Sequence, residues 1–305
     1  MNSRGYLQIS FAWIFAIIVG VFILILAIYA TTKFIGSEET TLSAKTGKEV
    51  GILLNPLETS FESAQVTFFT MPVETRIYNK CDDFGEFGKQ IIQISQKSFN
   101  RWTETDIDVS FENKYIFSDK EAEGKKFYVF SKPFEFPFKV ADLMYIIPSA
   151  KKYCFVNPPV EIEEEIDNLN QDNLLLEEDC SNNDIKICFG SGNCEINVNY
   201  NGKYVEKDDG RIYFEGDTLM YAGIFADKDV YECQLIRLMK RTKNLALIYR
   251  DKSIFVSRIG CYSDLNLLAL SNSAGNLKGS DDLSSINNIV EEIEGENEFA
   301  NCKLW

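Results

Sequence analysis

Chemistry in a protein rests on a few residue types, and one of them is missing here: the chain contains no histidine. That excludes Ser–His–Asp and Cys–His catalysis, His-ligated zinc and histidine-based pH switching. The reactive residues that remain are eight cysteines, Cys81, Cys154, Cys180, Cys188, Cys194, Cys233, Cys261 and Cys302. Their closest spacings are C-x7-C and C-x5-C, not the C-x2-C of a zinc site. An even count, all beyond one long apolar run, points to disulfides; eight reduced, buried thiols are the cytosolic alternative. Locality pairs Cys81 with Cys154, Cys188 with Cys194 and Cys261 with Cys302, leaving Cys180 for Cys233, one choice among many connectivities.

Without histidine, an enzyme would need Ser–Lys, paired carboxylates or carboxylate-held metal. Ser149-Ala-Lys-Lys152 spells S-x-x-K and Lys45-Thr46-Gly47 spells K-T-G, two signatures of penicillin-binding enzymes, but in reversed order and at chance length. The carboxylates are plentiful and unarranged. Glu161, Glu163, Glu164 and Glu165 read as a solvated helix face, and Asp208-Asp209-Gly210 as a turn. No cofactor or metal site is expected, no catalytic set is identifiable, and the balance is against an enzyme. Two groups are interaction candidates. One is the basic stripe Arg237, Lys240 and Arg241, with Lys243; the other is the aromatic row Phe134, Phe136 and Phe138, flanked by Pro133 and Pro137. A core role is the competing reading of the row, and a solvated polar face that of the stripe.

What must position these residues begins with a membrane segment. Phe11 to Ala30 is free of charge, and at about 1.5 Å per residue it spans the roughly 30 Å hydrocarbon core. Residues 9–32 are therefore read as a transmembrane helix whose partner is the bilayer. Beyond Lys33 lie all 46 acids and 29 of the 31 basic residues, so that remainder carries a charge near −17. A body that acidic repels phosphate backbones, so nucleic acid is not a partner. The cysteines and the acidity place the N-terminus in the cytoplasm and the large C-terminal domain outside.

The leader Arg4-Gly5 before Tyr6-Leu7-Gln8-Ile9-Ser10 resembles the processing signal of type IV pilins, which implies cleavage between Gly5 and Tyr6 and a filament-packing helix. It departs where that family places Glu and this chain has Ser10. The stretches ETRIYNKC (74–81), FSKPF (130–134), KYCFVNPP (152–159), YECQLIRLMKR (231–241) and the final CKLW resemble an uncharacterised family of single-pass archaeal membrane proteins. That resemblance implies no activity.

Alternation and turn residues predict strands over 63–71, 74–81, 89–98, 125–132 and 151–157, then a meander of hairpins over 180–216. Helical spacing predicts a short helix over 160–169, and helices through 217–305 with a stripe at Leu235, Leu238, Thr242, Leu245 and Tyr249. The fold class is α+β: a transmembrane helix, an antiparallel β-rich region, then C-terminal helices. The expected organisation is a short N-terminal segment (1–8), the membrane helix (9–32) and a membrane-proximal helix or stalk (33–62). A β-rich unit (63–158) and an α+β unit (159–305) follow. The expected function is a structural or protein-interaction role at the cell surface, with a protein partner in the membrane or outside it. A pilin-like filament or secretion component and a membrane-tethered carboxylate hydrolase are the alternatives.

Overall fold

The computed structural model describes residues 11–31, 65–98, 101–102, 108–190, 192–263 and 265–305. The short N-terminal segment with Gly5 and Tyr6, Ser10, the segment 33–62 and its Lys45-Thr46-Gly47 lie outside the described residues. Helix α1, Phe11–Thr31, is 21 residues long and none of it is buried against the rest of the chain. Its length matches the hydrocarbon thickness, and among the described residues it is the one helix long and apolar enough to cross a membrane.

The first sheet holds β1 (Gln65–Asp82), β2 (Lys89–Ser98), β3 (Arg101–Trp102), β4 (Val109–Phe111), β5 (Tyr115–Phe117), β6 (Glu121–Glu135) and β7 (Lys139–Pro148). Their order is β3-β2-β1-β6-β7-β5, with β4 also on β2. All its pairings are antiparallel except β5 with β7. Pro72 cannot donate to a ladder, and the β1–β6 register shifts between Thr70 and Thr75, letting one long strand pass through it. The central strands are buried on both faces. On β6, Phe127 and Val129 join Ile77, Ile92 and Ile94 in a smaller cluster, while Phe130 turns the other way into the main core.

The second sheet holds β8 (Tyr153–Val156), β9 (Leu174–Leu176), β10 (Ile185–Phe189), β11 (Ile196–Asn199), β12 (Tyr204–Lys207) and β13 (Gly210–Tyr213). Its order is β13-β12-β11-β10-β8-β9. Strands β9, β8, β10 and β11 run parallel, and α2 (Val160–Leu169) makes the crossover from β8 to β9, as parallel pairing requires. Two expectations are corrected. Residues 151–157, read with the first β unit, are hydrogen-bonded into the second sheet. The stretch 180–216 is not hairpins throughout, because β11 lies parallel to β10. Only β11–β12–β13 is a true meander.

Helix α3 (Gly216–Phe225) is buried from Leu219 to Phe225 and touches β6 and β7 of one sheet and β12 of the other. A helix apolar all round belongs inside, and α3 joins the two sheets in a single core. Helix α4 (Lys228–Ser257) buries the expected Leu235, Leu238 and Thr242, and α5 (Leu267–Asn276) and α6 (Leu283–Phe299) close the fold. The molecule is thus α+β, with an N-terminal apolar helix, antiparallel-rich sheets and C-terminal helices.

All eight cysteines are paired. Cys188–Cys194 and Cys261–Cys302 follow locality. The other two assignments are overturned: Cys81 joins Cys233 and Cys154 joins Cys180. The reason is topological. Cys81, near the end of β1, faces α4, whereas Cys154 is on β8 in the other sheet, beside the chain leaving β9. Their Cα–Cα distances, 6.1 and 5.6 Å, suit the covalent geometry.

Candidate functional site: a cleft at the strand ends

The residues singled out by sequence are mostly engaged in holding the fold. Phe134, Phe136 and Phe138 do not form an exposed docking row. The chain turns between β6 and β7 there, and all three rings are buried. Phe134 stacks on Phe136, while Phe138 stacks on Tyr249 at 4.5 Å and meets the edge of Trp305. Burying rings of this size contributes more than exposing them to a partner, so the core reading wins.

The basic stripe is likewise turned inward. Arg237 has no exposed surface. It donates to the backbone oxygens of Phe87 (3.2 Å), Phe111 (3.4 Å), Glu112 (3.0 Å) and Lys114 (2.9 Å), and to Gln234 Oε1 at 2.6 Å. Its guanidinium also lies 4.7 Å from the Tyr115 ring centre. Burial lowers its pKa to about 10, partly offset by Tyr115, Asp82 and Glu112, so it stays charged at neutral pH. Lys240 donates to the carbonyls of Asp83 and Gly85, and Arg241 is half-buried. Arg237 and Lys240 clamp the β1–β2 turn onto α4, and Arg237 the chain entering β5. Gln234, Gln90, Asn79 and Ser118 extend the same buried network. An Arg reaches several carbonyls at once because its planar fork carries five donors.

Ser149-Ala-Lys-Lys152 lies on the turn between β7 and β8, with Lys152 exposed and Lys151 paired with Asp119. Glu161, Glu163 and Glu164 are exposed on α2 as a solvated face, while Glu165 binds Lys132 at 2.7 Å and accepts from the Tyr221 hydroxyl. Asp208-Asp209-Gly210 forms the β12–β13 turn, with Gly210 at φ +114°. No group of three or more His, Cys, Asp or Glu suited to a metal occurs among the described residues.

The second sheet presents what the sequence did not reveal. Parallel strands all end on one side, and in open sheets that rim opens a crevice where the crossovers diverge. Here β8 leaves through α2 toward β9, while β10 and β11 lie on the other side of β8. At that divergence is an open cleft of about 750 Å³, lined by Asn157, Pro158, Pro159, Phe189, Gly190, Asn199, Tyr200, Asn201 and Tyr204. Each strand supplies its own end. Asn157 follows β8 at φ +50°, a left-handed conformation asparagine tolerates, and the two prolines then start α2. Asn199 ends β11, accepts from the Gly202 amide at 2.7 Å and donates to the Tyr204 hydroxyl at 3.1 Å. Gly202 is required there, since a Cβ would come within 2.9 Å of the Tyr204 ring. Tyr200 donates to Asp217 Oδ1 at 2.8 Å, and burial together with that carboxylate raises its pKa to about 12. The Cys188–Cys194 bond ties β10 to the start of the chain that enters β11.

Among the described residues no charged side chain lines this cleft. Lys203 Nζ lies 5.2 Å from the Tyr200 ring centre and Arg211 4.0 Å from that of Tyr204. A separate cleft of about 390 Å³, lined by Pro133, Phe134, Glu135, Glu215, Gly216 and Thr218, brings two carboxylates to one opening. Burial raises the Glu215 pKa, opposed by Lys203 and reinforced by Glu291. Comparison with protein-family models, curated proteins and solved structures finds no match.

Proposed function

We propose that this chain is a single-pass membrane protein whose disulfide-bonded α+β head faces the oxidising side and serves as an interaction module. One combination supports it most: an unburied apolar helix at the N-terminal side, followed by a head in which all eight cysteines are paired. Reducing compartments do not keep such bonds, and the net charge of −15 disfavours nucleic acid. The uncharged cleft at the strand ends is the surface through which the head would engage a partner.

Thiol labelling tests this. Denatured, unreduced protein is expected to show no free thiol, and an impermeant maleimide should reach the cysteines of intact cells only after mild reduction. Eight free thiols, or labelling that requires lysis, would end the proposal. A second reading, a carboxylate-based hydrolase, draws on the Glu135–Glu215 cleft. It demands hydrolysis of a glycoside that Glu215→Gln abolishes while folding is retained.

A further inference from the structure

We propose that the end of α4 and the turn after it dock on an anionic lipid surface. Ile248, Ile254, Phe255, Ile259 and Tyr262 enter the headgroup layer, and Lys243, Arg250 and Arg258 face the lipid phosphates. The head's proximity to a bilayer rests on the membrane-anchored reading; the chemistry of the patch does not.

Helix α4 is 30 residues long, and the last of them to be buried is Ala246. Beyond it, Tyr249 and Val256 still pack on the core from one side. The rest of the helix end carries Ile248, Ile254 and Phe255, each more than half exposed, and the following turn adds Ile259 and Tyr262, both 78% exposed. Five large apolar side chains so exposed within one short stretch form the kind of patch that marks a contact surface. The Cys261–Cys302 bond pins the turn to the last residues of the chain, so the patch is held in place.

Charge selects the occupant. The chain carries −15, yet residues 243–262 hold Lys243, Arg250, Lys252 and Arg258 against Asp251 alone. Asp251 is paired with Arg250 at 3.0 Å, and Lys252 donates to the Leu304 carbonyl. Lys243 and Arg258 are exposed. Apolar and aromatic side chains interleaved with cations are the composition of an interfacial helix, and each such cation adds attraction to anionic headgroups. A second copy seated on the patch by two-fold symmetry would set these cations against themselves. Proximity also favours the bilayer. Residues 32–64 join α1 to β1, at most about 120 Å of extended chain, so docking is an intramolecular step for which weak affinity suffices. Only the tip need come within the Debye length of about 8 Å, which screens the acidic body from the same surface.

The test places the full chain, one copy per nanodisc, in phosphatidylcholine alone or with about a third phosphatidylglycerol. Hydroxyl-radical footprinting read by mass spectrometry reports the exposure of single aromatic side chains. Oxidation of Phe255 and Tyr262 should fall by about threefold or more in the anionic discs. Phe84, 87% exposed on the β1–β2 turn, should label equally in both. The double variant Arg250→Glu/Arg258→Glu changes two cations outside the core. Its circular dichroism should match the parent, while its Phe255 in anionic discs labels as the parent's does in neutral ones. Unchanged labelling of the parent in anionic discs, equal protection in both lipids, or protection retained by the double variant would overturn the proposal. Protection found only in discs holding two copies would assign the patch to self-association, and protection found only in isolated cell membranes would assign it to a protein; either overturns it. A chain that fails to enter discs at all would defeat the membrane-anchored reading, whereas a disc-embedded chain with a fully labelled patch would defeat this inference alone.

Discussion

Replacing Arg237 separates two accounts of a charged residue on a helix. If it were a partner-binding cation on a polar face, Arg237→Ala would cost the isolated protein little, within about 0.5 kcal/mol. The structure gives a different figure. Three of its hydrogen bonds, to Lys114 O, Gln234 Oε1 and Glu112 O, are at or below 3.0 Å. Each leaves a shielded acceptor unpaired when the guanidinium goes, at about 1 kcal/mol apiece, and loss of the contact with Tyr115 adds about 1 more. The expected destabilisation is therefore about 4 kcal/mol. Arg237→Met fills most of the same volume without any donor, so it should cost nearly as much, placing the penalty in the orphaned carbonyls and not in a cavity. Arg237→Lys keeps the charge but reaches fewer acceptors, and should fall between the parent and Arg237→Met. Urea unfolding of the micelle-held chain, followed by tryptophan fluorescence, supplies the numbers. An alanine variant within about 1 kcal/mol of the parent, or a methionine variant far more stable than alanine, would refute the reasoning.

High pH should unfold the head steeply. Tyr115, Tyr145, Tyr153, Tyr221 and Tyr231 are all buried and burial raises the pKa of each. The native state then keeps protons that the unfolded chain loses near pH 10, so stability is full below that value and falls above it. The five phenols act together, opposed by Arg237 alone, whose lowered pKa acts in the opposite sense. Phenolate absorbance should rise together with loss of circular dichroism; ionisation of these phenols in a still-folded protein would count against it. Among the disulfides, Cys81→Ala/Cys233→Ala should cost most, about 5 kcal/mol for a separation of 152 residues, and Cys188→Ala/Cys194→Ala about 2 for a separation of 6. Equal losses in denaturant titrations would contradict the loop-entropy account. Leu24→Arg near the middle of α1 should oppose insertion by about 3 kcal/mol, and alkaline carbonate should then extract the chain from the membrane pellet.

Local periodicity is legible wherever one face of an element does one job. The helix over 160–169 coincides with α2 because its three buried positions, Ile162, Ile166 and Leu169, recur at helical spacing. The same logic failed for Arg237. A polar residue on a helix ordinarily marks the wet side, yet here the first sheet brings a turn rich in free carbonyls against it. For the aromatic row the core reading holds: the chain turns between β6 and β7 and all three rings are buried.

The sequence by itself determined that no histidine chemistry operates, that one segment is greasy and long enough to span a bilayer, and that strands precede helices. Each of these is written in composition or in neighbours a few residues apart. Only the tertiary structure decided which cysteines meet, that residues 151–157 belong to the second sheet, and that Asn157, Phe189, Tyr200 and Tyr204 share one cleft. Strand direction and sheet order are set by core packing between segments far apart in the chain, and no short-range pattern records whether two neighbouring strands run parallel or antiparallel.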